Sequence, residues 1–241
     1  MPSTGPLPST GHLLREAALD ALALVLPVEC AGCGASDRAV CAACRVALRP
    51  EPSSRRLPDG TAVFSGLDYD GVARSVILEF KEHGRAGLAR VLAPALAAAV
   101  VEAGRAVDRG HGPGVELVAV PGSRRARRRR GYDPVAALVS RAGLDRARVF
   151  AAARPHSAQK TLSLEERFAN LEAVFVTAVP VTGRRFLLVD DVVTTGATLS
   201  AAASVLRAAG AEVVAAAVVA STPRLFGPPV RAQRERPVTF P

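Results

Sequence analysis

Short apolar runs alternate along this chain with longer stretches in which apolar residues recur at helical spacing. The short runs predict strands at residues 62–67, 115–120, 186–189 and 212–219. The longer stretches predict helices at residues 72–82, 88–103 and 199–209. A further helix is predicted to begin at Asp133-Pro134, because Asp suits the N-cap and Pro suits the first helical position. Strand, helix and strand in this order predict an α/β fold, with a parallel sheet flanked by crossover helices.

Proline-rich and polar stretches divide the chain into four parts. An N-terminal tail and helix occupy residues 1–27, and a small cysteine module follows at residues 28–50. A linker rich in Pro and Ser leads to the larger domain at residues 60–222. The remaining residues, 223–241, are rich in Pro and Arg and are expected to be disordered.

The composition indicates a globular protein with anionic partners. Hydrophobic residues make up 49% of the chain and aromatic residues only 4%, so aliphatic side chains must form the core. The net charge of +9 favours nucleic acid, phosphorylated metabolites or anionic surfaces, without choosing among them. No run reaches the roughly 18 continuous apolar residues that a membrane span requires, and residues 17–28 lack a signal-peptide cleavage site. We therefore expect a cytoplasmic protein with no membrane span.

The four cysteines are clustered in two CxxC pairs. Cys30 and Cys33 form the first pair, and Cys41 and Cys44 form the second after seven intervening residues. Each pair can present two thiolates to one ion, and four soft thiolates favour tetrahedral Zn²⁺. A redox dithiol is the competing interpretation. Two complete pairs so close together favour a structural zinc site, which would organise a module too small to have its own core.

The segment at residues 186–198 carries the strongest functional signal. A predicted buried strand is followed by the adjacent acids Asp190 and Asp191, and then by a turn rich in Thr and Gly that opens a helix. Backbone N–H groups of such a turn form an anion site with the helix N-terminus, whereas two carboxylates suit hydroxyl donors and Mg²⁺. A ligand that carries both a phosphate and a diol, such as a ribose 5-phosphate, suits both halves. The alternative is that the acids merely end a strand and the turn merely caps a helix.

The same segment resembles the phosphoribosyl-pyrophosphate-binding motif of type I phosphoribosyltransferases. In that family the acidic pair contacts the ribose 2- and 3-hydroxyls, and the following loop holds the 5-phosphate. The resemblance implies that Asp190 and Asp191 are catalytic residues that bind the ribose of 5-phosphoribosyl-1-pyrophosphate together with Mg²⁺. It also implies that the phosphate is bound by Val193, Thr194, Thr195, Gly196, Ala197 and Thr198.

Several short motifs outside this segment occur in a recognisable order. They are Tyr69-Asp70-Gly71, Lys81, Val120-Pro121, Arg130-Gly131-Tyr132, Gln159, Leu162, Arg167 and Asn170. With the cysteine module, this order resembles the ComF (competence protein F) family over roughly residues 28–220. It departs at Asp133-Pro134, where the family usually has Asn-Gln, so the polar contacts of those amides stay open. The resemblance implies a zinc module joined to a phosphoribosyltransferase-like domain, with a role in DNA uptake or DNA metabolism.

Two polar segments are candidates to reach the pyrophosphate of the ligand. Six arginines follow the strand at residues 115–120, and Arg130 is preferred because it matches the ComF pattern, whereas the rest are solvated or hold a nucleic-acid backbone. Residues 157–170 resemble the flexible hood of phosphoribosyltransferases, where Lys160 and Arg167 either reach the pyrophosphate or are ordinary surface charges. The six arginines are Arg124, Arg125, Arg127, Arg128, Arg129 and Arg130.

Two functions remain open on the sequence. The first is a Mg²⁺-dependent phosphoribosyltransferase, in which the C1–pyrophosphate bond breaks through an oxocarbenium-like transition state and an unidentified acceptor attacks C1. The second is an adaptor that retains this fold while the zinc module and arginines engage single-stranded DNA or a helicase-like competence partner. The scarcity of aromatic residues means that any DNA binding should be electrostatic and should weaken with salt.

Overall fold

The computed structural model describes residues 28–36, 38–108, 114–122, 128–152, 175–222 and 230–231. Its helices are α1 (Ala42–Ala47), α2 (Gly71–Glu82), a 3-10 helix (Ala86–Leu88), α3 (Ala89–Asp108), α4 (Pro134–Arg141) and α5 (Ala197–Ala208). Its strands are β1 (Ser53–Arg56), β2 (Ala62–Asp68), β3 (Val115–Ala119), β4 (Phe150–Ala152), β5 (Phe175–Thr177), β6 (Arg185–Val193), β7 (Glu212–Ser221) and β8 (Val230–Arg231). The N-terminal helix expected within residues 1–27 lies outside the described residues.

Six strands form the main sheet, in the order β3-β6-β7-β2-β1-β8. The pairs β3–β6, β6–β7 and β7–β2 are parallel, whereas β1 is antiparallel to both β2 and β8. Strands β4 and β5 form a separate antiparallel pair. The predicted α/β fold, with helices flanking a mostly parallel sheet, is confirmed.

The parallel strands are apolar on both faces, which explains their continuous apolar runs. In β6, Phe186 and Leu188 pack in one cluster with buried residues of α5. The alternate residues Leu187 and Val189 pack on the opposite face, with residues of α3 and, for Val189, also of α2 and α4. Because successive side chains of a strand point to opposite faces, helices must cover the sheet on both sides.

Helix α3 packs unusually close to β2. A Cβ atom at Gly66 would lie 2.1 Å from the carbonyl oxygen of Ala95, so only glycine fits between the two backbones. The helical stretch Ala86–Val107 is also long and apolar enough, by length and composition alone, to cross a membrane. One side of this stretch nevertheless belongs to the core, because Leu92 and Leu96 are fully buried in the cluster that α3 shares with the sheet, whereas Val101 is exposed.

Two stretches were expected to lack regular structure but contain strands. Residues 53–56 fall in the predicted linker, yet they form β1, and Ser53 to Arg56 pair with Ser65 to Ala62 of β2. Within the tail that was expected to be disordered, Val230–Arg231 pair with β1 as β8. The linker prediction was wrong because β1 is made a strand by its pairing with β2 and β8, and its own polar residues do not signal that pairing.

The cysteine module packs directly against α2. Cys30 and Cys44 are buried in the same core cluster as residues of α2 and α3. A Cβ atom at Gly32 would lie 2.9 Å from Cγ1 of Val72, close to the start of α2. The apolar side of the module therefore borrows a core from the sheet and its helices.

Candidate functional site

The carboxyl ends of the parallel strands meet at one edge of the sheet, where α/β folds bind ligands. β6 brings Asp190 and Asp191 to this edge, although the strand is longer than predicted and the acids lie within its last four residues. The loop after β3 brings Pro121 and Gly122, and the end of β7 brings Thr222. The edge therefore combines residues that are far apart in the chain.

The second acid, Asp191, is buried and paired with a lysine from α2. Its Oδ1 accepts a hydrogen bond from Nζ of Lys81 at 3.0 Å and another from the backbone N–H of Val192 at 2.7 Å. The side chains of Lys81 and Asp191 are 28% and 10% exposed. Burial alone would lower the pKa of Lys81, but the Asp191 carboxylate raises it above its ordinary value. The lysine is therefore held charged at this edge of the sheet.

The first acid, Asp190, lies in an environment that disfavours its charge. Burial raises the pKa of Asp190 well above its ordinary value, and the neighbouring charge of Asp191 raises it further. Two interactions lower the pKa of Asp190 and only partly offset this rise. The backbone N–H of Asp191 donates to its Oδ1 at 2.8 Å, and the positive charge of Lys81 favours the carboxylate. Strongly perturbed carboxyl groups of this kind are characteristic of functional sites.

After the acids, the chain turns sharply into α5. Gly196 is the N-cap residue and has φ of +86°, a left-handed conformation that favours glycine. Thr194, Thr195 and Thr198 are exposed, and Oγ1 of Thr195 accepts a hydrogen bond from the N–H of Ala197 at 3.3 Å. The N–H groups of the first helical turn beyond Ala197 have no partner within the helix, and together with the helix dipole they make this end of α5 suitable for an anion.

The β1–β2 hairpin lies directly beside this turn, which sequence reasoning missed. Nη2 of Arg55 donates to the carbonyl oxygen of Thr194 at 2.6 Å. A Cβ atom at Gly196 would lie 2.4 Å from Cδ2 of the buried Leu57, so the leucine packs against the glycine. No local signal marks Arg55 and Leu57, because their segment has the pattern of a linker and the turn that they contact lies more than a hundred positions away.

The loop after β3 is accompanied by Arg130 and Tyr132. A Cβ atom at Gly122 would lie 4.0 Å from Nη2 of Arg130, and Nε of Arg130 is buried without a hydrogen-bond partner among the described residues. The hydroxyl of Tyr132 donates to the carbonyl oxygen of Phe80, and the two rings pack 5.5 Å apart. Burial raises the pKa of Tyr132, Asp191 raises it further and Arg130 opposes the shift. Tyr132 thus lies within electrostatic range of both Arg130 and the acidic pair.

The predicted ligand residues Lys160 and Arg167 lie outside the described residues, as do Arg124, Arg125 and Arg127 of the arginine-rich loop. Of the remaining arginines in the loop, Arg128 is exposed and Arg129 forms an ion pair with Glu82 at 2.6 Å. Arg129 is therefore engaged at the surface. Arg130 is the arginine of this group whose side chain the structure places beside Gly122.

The structure confirms that a helix begins at Asp133-Pro134, where the sequence departs from the ComF pattern. Asp133 is the N-cap of α4, and its Oδ1 accepts a hydrogen bond from the N–H of Ala136 at 3.1 Å. Pro134 occupies the first turn, where its missing N–H costs nothing. Asp133-Pro134 therefore supplies a capping interaction at this position.

The four cysteines converge on one point. Their Sγ atoms all lie within 4.8 Å of one another, and those of Cys33 and Cys41 are 3.7 Å apart. A tetrahedral Zn²⁺ with Zn–S bonds of about 2.3 Å requires sulfur atoms about 3.8 Å apart, so the spacing suits the metal. None of the four is in a disulfide. Cys30, Cys33, Cys41 and Cys44 are thus placed to hold one ion.

Backbone donors prepare one of these sulfurs for the metal. The N–H groups of Gly32 and Cys41 donate to Sγ of Cys30 at 3.4 and 3.3 Å. Burial opposes ionisation, but these hydrogen bonds prevail and lower the pKa of Cys30 to about 6. A zinc ion binds the thiolate form, so this environment favours the metal-bound state.

A cleft of about 280 Å³ opens near the end of β2, between α1 and α2. It is lined by Val46, Ala47, Arg49, Glu51, Leu67, Asp68, Asp70, Val72 and Ala73. None of the predicted ligand or metal residues lines it.

Comparison with known proteins agrees with this geometry. Residues 142–232 match the family model described as the phosphoribosyl transferase domain. The chain has a phosphoribosyltransferase-like fold. Over 65 residues it is 51% identical to an adenine phosphoribosyltransferase of Nocardia farcinica, which covers 27% of this chain and 34% of that protein. Over 56 residues it is 50% identical to an adenine phosphoribosyltransferase of Mycobacterium avium, covering 23% and 31%.

The chain spans about a third of the length of the curated relatives that it matches. The matched phosphoribosyltransferase segment, residues 142–232, includes the acidic pair and the turn into α5. Arg55, Lys81 and Arg130 lie outside it. The chain therefore combines a phosphoribosyltransferase motif with basic residues contributed by its other elements.

Proposed function

We propose that this protein binds 5-phosphoribosyl-1-pyrophosphate, or a closely related ribose phosphate, with Mg²⁺ at the carboxyl edge of the sheet. The observation that carries the proposal is the acidic pair at the end of β6, followed by the Gly196 turn at the N-terminus of α5. A carboxylate pair and an anion site in direct succession suit a diol and a phosphate on the same ligand. The phosphoribosyl transferase match over this segment supports the same ligand class.

Each part of the site would bind a different part of the ligand. Asp190 and Asp191 would accept hydrogen bonds from the ribose 2- and 3-hydroxyls. Residues 193–198 would hold the 5-phosphate with backbone N–H groups and the exposed threonine hydroxyls. Arg130 has a buried Nε without a described partner, and Lys81 retains two further N–H donors beyond its bond to Asp191. These two cations would favour the pyrophosphate, which leaves as an anion when the C1–O bond breaks.

The oxygen-rich acidic pair also suits a hard divalent cation. Carboxylate oxygens are typical Mg²⁺ ligands, and Mg²⁺ is commonly shared between one or two carboxylates and substrate phosphates. When bound, the ion would neutralise charge on the pyrophosphate. Oδ1 of Asp191 is engaged by Lys81 and Oδ1 of Asp190 by the backbone N–H of Asp191, so the ion would meet the second oxygen of either carboxylate.

We infer that turnover would be a phosphoribosyl transfer to an acceptor that carries a nucleophilic nitrogen. Because both relatives are adenine phosphoribosyltransferases, adenine is the first acceptor to test. The cleft near the end of β2 does not touch the motif, so it does not identify the acceptor. An adaptor that retains the fold without turnover is the competing possibility.

The test is a calorimetric titration of the protein with phosphoribosyl pyrophosphate and Mg²⁺. Asp190→Asn and Asp191→Asn each weaken hydrogen bonds to a charged group, worth about 1.5–3 kcal/mol, so each should lower affinity by roughly tenfold to a hundredfold. Glu116→Gln is the matched control, because Glu116 lies near the opposite end of the sheet, on β3, and pairs with Arg184. Release of labelled pyrophosphate in the presence of adenine then tests turnover.

Two results would contradict the proposal. The first is undetectable binding by the wild-type protein at millimolar ligand with Mg²⁺. The second is an equal effect of Asp190→Asn and Glu116→Gln, which would mean that binding does not involve the acidic pair.

We also propose that the four cysteines hold a structural Zn²⁺. The support is the convergence of four thiols at tetrahedral spacing, together with the backbone donors to Cys30. Because Cys30 and Cys44 are part of the core beside α2, the ion would stabilise the packing of the module on the sheet domain. Metal analysis of the purified protein should give about one zinc per chain.

A cellular role in DNA uptake or DNA metabolism, in the cytoplasm and beside a helicase-like partner, follows from the resemblance to ComF proteins and remains a proposal. The net charge of +9 supports an anionic partner. Single-stranded DNA should bind electrostatically, so its affinity should fall steeply as salt is raised. Undetectable binding at low salt would exclude single-stranded DNA as a direct partner.

A further inference from the structure

The β1–β2 hairpin contacts residues 193–198, the turn proposed to hold the 5-phosphate and called the phosphate turn below, at two points. Arg55 on β1 donates from Nη2 to the carbonyl oxygen of Thr194 at 2.6 Å. Leu57, two residues later, packs against Gly196, where a Cβ atom would lie 2.4 Å from Cδ2. One strand end therefore supports both the beginning of the turn and the N-cap of α5.

The turn of the hairpin is also tied to the helix behind the phosphate turn. Arg207 on α5 donates from Nη1 to Oδ2 of Asp59 at 3.0 Å, and from Nη2 to Oγ1 of Thr61 at 2.8 Å. Asp59 in turn accepts hydrogen bonds from the N–H and the hydroxyl of Thr61. The hairpin thus contacts α5 both at its N-terminus and, through Arg207, near its C-terminus.

The contact with Thr194 has a consequence for the direction of a backbone donor. The carbonyl oxygen of Thr194 also lies 3.4 Å from the donor Oγ1 of Thr222, at the end of β7. A trans peptide is planar, and its N–H points opposite to its C=O. With the Thr194 carbonyl held towards Arg55 and Thr222, the N–H of Thr195 must point the other way, out of the hairpin.

We propose that the β1–β2 hairpin is the positioning element of the 5-phosphate site, and that Arg55 is its central positioning residue. Arg55 acts through the Thr194 carbonyl, which orients the Thr195 N–H towards a bound phosphate monoester. Its guanidinium also places a permanent positive charge immediately behind the anion turn. The inference rests on the proposed function and goes beyond it, because Arg55 lies outside both the acidic pair and the segment that matches phosphoribosyltransferases.

The experiment compares two probes that occupy different halves of the site. Ribose 5-phosphate reports on the phosphate turn, whereas inorganic pyrophosphate with Mg²⁺ reports on the part that lacks the 5-phosphate. Both are titrated calorimetrically into the full chain and into Arg55→Gln and Arg55→Lys. Arg56→Gln is the matched control, because adjacent strand residues point to opposite faces and Arg56 donates to Gly60 within the hairpin.

Arg55→Gln should weaken ribose 5-phosphate about tenfold, as expected for one hydrogen bond involving a charged group. It should change pyrophosphate binding by less than about twofold. Arg55→Lys retains the charge but loses the planar fork, so its affinity for ribose 5-phosphate should fall between those of the wild type and Arg55→Gln. Arg56→Gln should bind both probes like the wild type. If Arg55→Gln does not fold, Arg55→Lys replaces it in the test: it should weaken ribose 5-phosphate more than it weakens pyrophosphate.

The outcomes separate the two claims. A wild-type protein that binds neither probe refutes the proposed function. A wild-type protein that binds ribose 5-phosphate, with an Arg55→Gln variant that binds it equally well, overturns the inference alone. Equal weakening of both probes by Arg55→Gln also overturns it, because that pattern indicates a general structural role.

Discussion

Replacing Gly196 by alanine tests how tightly the hairpin holds the phosphate turn. Gly196 has φ of +86°, where a side chain costs about 1–2 kcal/mol. The new Cβ atom would also lie 2.4 Å from Cδ2 and 3.1 Å from Cδ1 of Leu57. Overpacking of this kind typically costs about 1–3 kcal/mol. Together, we expect Gly196→Ala to lower the free energy of unfolding by roughly 2–5 kcal/mol.

The same helix provides a matched control at its other end. Gly210 follows α5 with φ of +81°, but its nearest contact to an added Cβ atom is Cγ2 of Thr182 at 3.2 Å. Gly210→Ala should therefore show mainly the backbone cost, about 1–2 kcal/mol. The difference between the two alanine variants measures the contact with Leu57.

A double-mutant cycle isolates that contact. Leu57→Ala alone should cost about 2–5 kcal/mol, because the side chain is buried. It also opens the space that the new methyl group needs. The double variant should be more stable than the sum of the single effects predicts, by about 1–2 kcal/mol, measured by urea unfolding. Strict additivity, with Gly196→Ala no worse than Gly210→Ala, would refute the steric argument.

Three further predictions concern other parts of the molecule. Asp190→Asn should raise the unfolding midpoint at neutral pH. Burial and the charge of Asp191 raise the pKa of Asp190 in the folded state, so ionisation of this carboxyl group above about pH 4 destabilises the folded wild type. The advantage should vanish as the pH falls to about 4, and a pH-independent difference would contradict this cause. Chelation of zinc should lower the melting temperature, since structural zinc sites contribute about 10–16 kcal/mol in isolated peptides, and Cys44→Ala should remove the response to chelator. Gly66→Ala should destabilise the fold by at least about 1–3 kcal/mol, because the methyl group would meet the backbone oxygen of Ala95. If urea unfolding showed the variant to be as stable as the wild type, the close approach of α3 to β2 would be excluded.

Local chemistry was sufficient to predict most of the parallel sheet and its helices. The apolar runs predicted β2, β3, β6 and β7, because strands covered by helices on both faces must be continuously apolar. Asp133-Pro134 correctly predicted the start of α4, since capping depends on residues within one turn. The acidic pair and the Thr- and Gly-rich turn were recognisable because the motif is contiguous in the chain.

The sequence failed where a structure depends on the partner strand and not on the segment's own residues. β1 carries Ser and Arg and follows two prolines, so its local pattern resembles a linker, and only the pairing with β2 across a short turn and with the distant β8 makes it a strand. The length of β6 was also underestimated. The strand continues through Asp190 and Asp191 to Val193, because β7 pairs with it as far as Val193. The pairing of an edge strand and the length of any strand depend on the tertiary structure, because the backbone N–H and C=O groups form hydrogen bonds with whichever strand lies beside them.

The amino-acid sequence by itself determined that this protein has an α/β sheet, a contiguous motif that resembles the ribose-phosphate site of phosphoribosyltransferases, and two cysteine pairs able to share one ion. The tertiary structure decided which other residues join the motif. Lys81 pairs with Asp191 across 110 positions, and Arg55 reaches Thr194 across 139 positions. No periodicity or spacing in the sequence encodes such contacts, because they arise only when the sheet places distant strand ends beside one another.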